Sequence, residues 1–231
     1  MPLSAVYFGR PIADVLTPLF YNTGWSADGV TYLRIGLTVI SLACLGSGFQ
    51  PLLFVAAGLG LFAFVLDFVD GHIARLDDKA TYWGKYSDGL GDYLFPACGP
   101  IVAGLGLWLQ DGAWSYLLIG AAISLVTLMT RTARDRLRFF EHWMAQDSGE
   151  LSEQERQAAQ PWQVRERWVT VVAANGRTLA FLLLFIPDGG LTFFIGLAVI
   201  QGITEPVWLW VVLGRGHAVL RRWRKSVHAA P

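Results

Sequence analysis

Six long apolar segments constrain the fold of this sequence more than any other feature. They lie at 30–48, 51–74, 85–109, 113–133, 168–187 and 190–213. Each is close to the about 17–25 residues that an α-helix needs to cross a bilayer. Hydrophobic residues make up 54% of the chain and charged residues 16%, which favours a membrane bundle over a soluble domain. We therefore predict an all-α integral membrane protein with six transmembrane helices, in a single membrane-embedded domain spanning 1–231.

The N-terminal segment 9–22 has a different pattern from the six spans. Its apolar residues recur at helical spacing between polar ones, at Ile12, Val15, Leu16, Leu19 and Phe20. Such a pattern is typical of an amphipathic helix that lies flat in the membrane interface. We predict an interfacial helix here, followed by the first span.

The basic residues indicate an orientation. None of the 18 Lys and Arg falls in the connections 49–51, 110–112 and 187–190, which lie on one side of a six-span topology. The positive-inside rule then places both termini, and the connection 76–83, on the cytoplasmic side of the cell membrane. The charged stretch 131–167 is predicted as a cytoplasmic loop with short helices. A net charge of zero argues against a nucleic-acid partner.

Four aspartates in the segment 67–92 form the most informative polar cluster. Asp67 and Asp70 are three residues apart, and Asp88 and Asp92 are four apart, so each pair lies on one face of a helix. If the second and third spans are antiparallel neighbours, the two pairs meet at the cytoplasmic edge of the bilayer. Converging carboxylates repel one another unless cations neutralise them, and oxygen ligands favour Mg²⁺, Mn²⁺ or Ca²⁺. The alternatives are helix-capping acids or a pair that shares a proton.

Small residues accompany these acids on the same helical faces. Gly71 and Ala74 follow the first pair, and Gly84 precedes the second. Small side chains allow close helix packing in membranes, and they also allow a ligand to approach the backbone. The spacing alone leaves both roles open.

The full pattern resembles the signature of a known family. It reads Asp67-x-x-Asp70-Gly71-x-x-Ala74-Arg75, eight residues, then Gly84-x-x-x-Asp88-x-x-x-Asp92. This is similar to the motif of the CDP-alcohol phosphotransferases, also called CDP-alcohol phosphatidyltransferases. The six spans and the interfacial helix resemble that family as well.

The resemblance implies a function and a set of site residues. It implies transfer of a phosphate-linked alcohol group, most often phosphatidyl, from a donor such as CDP-diacylglycerol to an acceptor hydroxyl, with release of CMP, in phospholipid biosynthesis. The four aspartates would bind two divalent cations, Mg²⁺ or Mn²⁺, and Asp92 would also act as general base. A homodimer in the lipid bilayer is implied too. The implied contacts to the CDP donor are Gly71, Ala74, Arg75, Thr81, Gly84, Thr31 and Arg34.

Other charged residues suggest an acceptor pocket. Arg131 and Arg134 end the fourth span and could attract an anionic acceptor such as a sugar phosphate or glycerol phosphate, or could simply anchor the span. Arg177 and Glu205 lie within the fifth and sixth spans at similar depth. They form either a structural ion pair or a wall of the pocket.

Two other functions compete with a phosphatidyl transfer. A CDP-linked small alcohol could be the donor, with a different acceptor, because the motif residues are implied to recognise the CDP group and not the alcohol. A membrane cation transporter could use the aspartate cluster as its ion site. The transporter would leave the spacing of the Gly, Ala and Arg positions unexplained.

Overall fold

Seven α-helices make up most of the described chain in the computed structural model, which covers residues 4–77, 81–148, 153–186 and 188–228. A π-helical turn, Ala5–Gly9, precedes the first helix, and a 3₁₀ segment, Phe181–Phe185, follows the sixth. The helices are α1 (Arg10–Asn22), α2 (Ala27–Gly46), α3 (Gln50–Leu76), α4 (Tyr82–Asp111), α5 (Trp114–Ser148), α6 (Glu153–Ala180) and α7 (Gly189–His228).

Six of these helices are long and apolar enough to cross a membrane, namely α2 to α5, α6 with its 3₁₀ extension, and α7. The prediction of an all-helical protein with six spans is therefore confirmed, and the chain is an integral membrane protein. Each predicted span lies largely within one of these helices, although the predicted end of the fifth span at residue 187 lies outside the described residues.

The charged stretch 131–167 differs from its prediction as a loop with short helices. Residues 131–148 continue α5 without a break, and residues 153–167 are the first part of α6. No glycine or proline interrupts 131–148, so nothing in that segment ends the helix that the membrane span begins. Two of the spanning helices therefore project beyond their apolar parts.

Local sequence fixes the ends of the helices that carry the aspartates and their neighbours. The Ser26 hydroxyl accepts a hydrogen bond from the Gly29 N–H at 3.1 Å and caps α2. Thr81 caps α4 in the same way. At the other end of α4, Gly112 has a φ of 70°, the left-handed conformation that commonly stops a helix.

The packing order differs from the order along the chain. We expected α3 and α4 to be direct neighbours, because only a short loop joins them. Instead, α2 packs against both of them, and no extensive contact joins α3 to α4 among the described residues. The two helices still approach each other near the acids, where carboxylates from both lie within 4.8 Å of one another.

The helix predicted over 9–22 is present as α1 and packs against α3, and its location in the membrane interface stays a prediction. Its buried Ala13 joins an apolar cluster made by α2 and α3, and Val15 and Leu19 are 74% and 61% exposed. Thr17 lies on the α3 side, where its hydroxyl is 3.2 Å from Nδ1 of His72. This cluster supports the end of α3 that bears Asp67 and Asp70.

Glycine allows α4 and α5 to pack backbone to backbone. A Cβ added to Gly104 would overlap the Tyr116 carbonyl, and one added to Gly120 would overlap the Pro100 carbonyl. Small residues of this kind permit the close helix contacts that stabilise membrane bundles.

Replacing Gly120 with Val is expected to destabilise the protein, because the new side chain pushes α5 away from the backbone of α4. Overpacking of this kind costs about 1–3 kcal/mol. Thermal unfolding in detergent measures the effect. The control is Gly202→Val, because nothing lies within 4 Å of a Cβ added at Gly202. Equal melting temperatures for the two variants would contradict the predicted packing.

Candidate active site

Four aspartates, two on α3 and two on α4, lie around one point near the loop that joins these helices. Asp67 and Asp70 are about one turn apart on α3, and Asp88 and Asp92 are about one turn apart on α4. One carboxylate oxygen from each of Asp67, Asp70 and Asp88 lies within 4.8 Å of the other two. The structure therefore brings carboxylates from both predicted pairs together.

Arg34 of α2 lies among these carboxylates. Its Nη1 contacts Oδ1 of Asp67 and lies 3.0 Å from Oδ1 of Asp92. Its Nη2 donates to Asp88, at 2.9 Å to Oδ1 and 3.1 Å to the carbonyl oxygen. Its Nε is 4.0 Å from Oδ2 of Asp70. Arg34 was predicted to contact the CDP donor, and in the structure it bridges the two acid pairs.

The four carboxylates differ in how firmly they are held. Asp70 is buried, and its Oδ2 accepts a hydrogen bond from the Thr31 hydroxyl at 2.8 Å. The side chains of Asp88 and Asp92 are 47% and 55% exposed. The α3 side of the cluster is thus fixed by protein contacts, and the α4 side is open to a ligand.

The four aspartates offer ligand atoms that suit a hard divalent cation. All four side chains offer carboxylate oxygens, which Mg²⁺, Mn²⁺ and Ca²⁺ prefer. Four negative charges face the single positive charge of Arg34, so the cluster has a net negative charge. Further cations would reduce the repulsion among the carboxylates. The residues present therefore fit the predicted metal site.

Thr81 and Gly84, two of the predicted donor contacts, lie together at the start of α4. The Thr81 hydroxyl accepts from the Gly84 N–H at 2.8 Å. A Cβ added to Gly84 would lie 2.9 Å from both the Thr81 hydroxyl and Oδ1 of Asp28. A larger residue at position 84 would displace one of these side chains, so glycine keeps this end of α4 close to α2.

Of the other predicted contacts to the CDP donor, Thr31 and Arg34 lie on α2, and Gly71, Ala74 and Arg75 lie on the last turns of α3. A Cβ added to Gly71 would lie 3.5 Å from Nη1 of Arg75, whose side chain is exposed. Ala74 is partly buried. The small residues thus leave the surface of α3 beside the acids open, and the roles of all these positions toward a donor stay predictions.

A cavity of about 310 Å³ adjoins the aspartate cluster. Asp67, Asp92 and Arg34 form one part of its lining. Helices α3, α4 and α6 and the 3₁₀ segment supply an apolar part, made by Gly60, Leu61, Ala63, Phe64, Phe95, Pro96, Ala174 and Phe181. A third part is basic and consists of Arg131, Arg134 and Arg177. The cavity therefore connects the aspartates to three arginines from α5 and α6.

Each of these arginines has a partner that fixes its position. Nη1 of Arg177 lies 3.6 Å from Oε1 of Glu205, which is 1% exposed. Glu205 therefore supports Arg177 from α7, and it is not among the residues that line the cavity. Arg131 lies over the ring of Tyr93 at 5.0 Å, and Arg134 lies over Trp208 at 4.7 Å.

Charge in the basic part of the cavity is only partly balanced. Three guanidinium groups are accompanied by Glu205 and by Asp135, whose Oδ1 is 3.7 Å from Nε of Arg134. The Asp135 side chain is 50% exposed, so water screens its charge. Neither oxygen of Glu205 accepts a hydrogen bond from any described residue. This part of the cavity thus suits an anionic group.

Several residues that support the cavity were not predicted from the sequence. Tyr93 and Trp208 hold arginines, and Asp135 contacts the Tyr93 hydroxyl. Tyr93 follows Asp92 directly, and Trp208 is three residues after Glu205, so both lie next to predicted site residues. Nothing in the pattern distinguishes Trp208 from the other nine Trp of the chain.

Comparison with known families identifies the chain's relatives. A family model described as CDP-alcohol phosphatidyltransferase matches residues 25–204, about three quarters of the chain. The matched range includes the four aspartates, Arg34 and the three arginines of the cavity. No curated protein sequence matches the chain.

Proposed function

The chain belongs to the CDP-alcohol phosphatidyltransferase family, whose activity is transfer of a phosphate-linked alcohol group from a CDP-alcohol, and we propose that its donor is CDP-diacylglycerol. The proposed acceptor is a hydroxyl compound that carries a phosphate, and the proposed products are CMP and a phosphodiester lipid. This reaction is a step in phospholipid biosynthesis.

The observation that carries this proposal is the shared lining of one cavity. Asp92, the predicted base, lines it together with Arg131, Arg134 and Arg177. An acceptor phosphate held by the arginines would bring its hydroxyl into the same cavity as the Asp92 carboxylate. The apolar part of the lining supports a substrate that carries a lipid group.

The proposed chemistry assigns one role to each group of residues. Asp67, Asp70, Asp88 and Asp92 hold two divalent cations, Mg²⁺ or Mn²⁺. When bound, these cations neutralise the diphosphate and the charge that develops on the leaving CMP. Asp92 takes the proton of the acceptor hydroxyl while the oxygen of that hydroxyl forms a bond to the β-phosphorus. The bond from that phosphorus to the CMP oxygen breaks, and its electron pair leaves with CMP.

The acceptor's phosphate is supported by the charges around the cavity. The three arginines outnumber the two carboxylates that pair with them, Glu205 and the half-exposed Asp135, although Asp92 of the aspartate cluster lines the same cavity. Arginine forms strong, directional hydrogen bonds with phosphate. Glycerol phosphate and sugar phosphates fit this requirement, whereas a neutral or zwitterionic acceptor such as serine does not use it.

The remaining proposals concern the membrane. We place both termini and the aspartate cluster on the cytoplasmic side of the cell membrane, because the basic residues outside the spans accumulate there. A homodimer within the bilayer is also proposed from the family resemblance. Numerous large apolar side chains are exposed on α2 to α7 and can face lipid or a second copy.

A panel of acceptors tests the proposed substrate class. Purified protein with Mn²⁺ and CDP-diacylglycerol is expected to form a phosphodiester lipid, identified by mass spectrometry, with glycerol phosphate or a sugar phosphate. The dephosphorylated form of the same acceptor is the matched control and is expected to react at least about tenfold more slowly, since a charged hydrogen bond contributes about 1.5–3 kcal/mol. Equal rates for the two forms would contradict a phosphate-bearing acceptor.

A further inference from the structure

We propose that Arg34 is the built-in counter-cation of the metal-free site and that it competes with the divalent cation for the carboxylates. The inference rests on the metal-binding part of the proposed function. It goes beyond that function because it makes Arg34 a residue that weakens metal binding and stabilises the protein when metal is absent.

The first support is the position of the guanidinium. Arg34 has a side chain that is 7% exposed, and its three nitrogens face oxygens from α3 and α4. Nη1 lies 3.0 Å from Asp92, and Nη2 lies 2.9 Å from Asp88. One planar group thus touches the same residues that are proposed to bind the metal.

The second support is that the protein holds Arg34 in this place from several sides. Nη2 also donates to the carbonyl oxygen of Asp88, at 3.1 Å. Gly91 brings the backbone of α4 against the guanidinium, because a Cβ added there would lie 2.7 Å from Nη2. No described residue accepts a hydrogen bond from Nε. The Arg34 side chain therefore occupies a fitted space between α2 and α4.

The third support is the overlap of the two kinds of cation. Mg²⁺ binds carboxylate oxygens directly, at about 2.0–2.1 Å. Oδ1 of Asp67, of Asp88 and of Asp92 each already contacts a nitrogen of Arg34. A metal ion bound to these carboxylates would lie beside a positive guanidinium, which repels it. Metal binding therefore either breaks contacts between Arg34 and these oxygens or is weakened by repulsion from the guanidinium.

Another residue keeps part of the site organised without Arg34. Thr31 holds Oδ2 of Asp70 through its own hydrogen bond of 2.8 Å. Loss of the guanidinium would therefore remove a competing charge while Asp70 stays in place. Without metal, the same loss would lower the stability of the protein, because four carboxylates would face one another with no cation among them.

Thermal unfolding in detergent, with EDTA or with increasing Mn²⁺, tests this role. Arg34→Gln is expected to melt at a lower temperature than wild type in EDTA. Its half-saturating Mn²⁺ concentration is expected to be at least tenfold lower, and its total Mn²⁺-induced rise in melting temperature larger. Arg34→Lys keeps the positive charge and is expected to stay closer to wild type in both measures. Arg10→Gln, which removes an exposed arginine from α1, is expected to match wild type.

Distinct results would overturn the inference. A half-saturating Mn²⁺ concentration for Arg34→Gln that equals or exceeds the wild-type value would show that Arg34 does not compete with metal. An unchanged melting temperature in EDTA would show that it does not stabilise the metal-free site. A wild-type protein with no Mn²⁺ response would overturn both the inference and the proposed metal site, whereas the identity of donor and acceptor would stay open to the acceptor panel.

Discussion

Replacing Asp92 with Asn is expected to lower the rate of acceptor-dependent CMP formation by about 10³-fold or more, while the protein remains folded. General-base catalysis contributes roughly 10²–10⁴-fold, and Asn cannot take the proton of the acceptor hydroxyl. Asp92 is also a proposed metal ligand, so its loss is expected to reach the upper part of that range. Steady-state assays of CMP release measure the effect.

The matched control for this variant lies on the same helix. Asp111 is exposed at the opposite end of α4, about 19 residues or roughly 28 Å along the helix from Asp92. Asp111→Asn removes the same charge and is expected to keep wild-type activity. Thermal unfolding establishes that both variants are folded. An Asp92→Asn protein with more than a tenth of the wild-type rate would require another base.

Replacing Arg177 with Gln is expected to lower kcat/KM for the acceptor by about 10–100-fold and to leave KM for the donor nearly unchanged. A charged hydrogen bond to phosphate contributes about 1.5–3 kcal/mol, which corresponds to this range. Arg177 belongs to the basic part of the cavity that is proposed to bind the acceptor, so the donor's CDP group is not expected to contact it. Steady-state kinetics with each substrate varied in turn separates the two effects.

A second variant separates this effect from a loss of stability. Arg177→Gln removes the ion-pair partner of the buried Glu205 carboxylate, which is expected to destabilise the protein by up to about 3–5 kcal/mol. The double variant Arg177→Gln with Glu205→Gln removes that charge and is expected to recover much of the melting temperature. Its kcat/KM for the acceptor is expected to stay low. Recovery of both properties would mean that Arg177 has only a structural role.

A control variant on α5 tests whether binding of the acceptor depends on the position of the positive charge. Arg136 is exposed on α5, between the cavity residue Arg134 and the end of the helix. Arg136→Gln lowers the positive charge of the same surface without changing the cavity lining. We expect its kinetic constants to match wild type, because long-range attraction between exposed charges is screened by salt.

The sequence was sufficient for the number of spans and for the position of the acids. Long apolar runs have few alternative structures in water or lipid, so the six helices follow from composition and length. Asp67 and Asp70 lie on one face of α3, and Asp88 and Asp92 on one face of α4, because helical periodicity fixes those relations. The family match then confirmed the resemblance that the motif suggested.

The helix packing was not predicted correctly. A short loop between α3 and α4 suggested direct packing, but α2 packs against both of them. Loop length limits the distance between the two helix ends and leaves their remaining length free to diverge. Because α2 contacts both helices, Arg34 can reach acids on both. The family resemblance implied that Arg34 contacts the CDP donor, but its position among the acids depends on the packing of α2, which the sequence did not predict.

The surroundings of the cavity depend on tertiary contacts between distant segments. Arg134 of α5 lies over Trp208 of α7, and Arg177 of α6 pairs with Glu205 of α7. The ion pair between Arg177 and Glu205 was one of two interpretations suggested by their similar depth in the membrane. The contact between Arg134 and Trp208 could not be predicted, because an aromatic residue in an apolar helix packs equally well against lipid or protein.

The proposed metal-dependent transfer from a CDP-alcohol is tested by measuring CMP release with purified protein that is stripped of metal with EDTA and then supplied with Mn²⁺ or Mg²⁺. With CDP-diacylglycerol and a phosphate-bearing acceptor, we expect no CMP in EDTA and rapid, acceptor-dependent CMP formation when metal is restored. If no CMP forms with metal, for CDP-diacylglycerol and for CDP-linked small alcohols alike, the proposed transfer is wrong and a cation-binding role for the aspartate cluster is favoured.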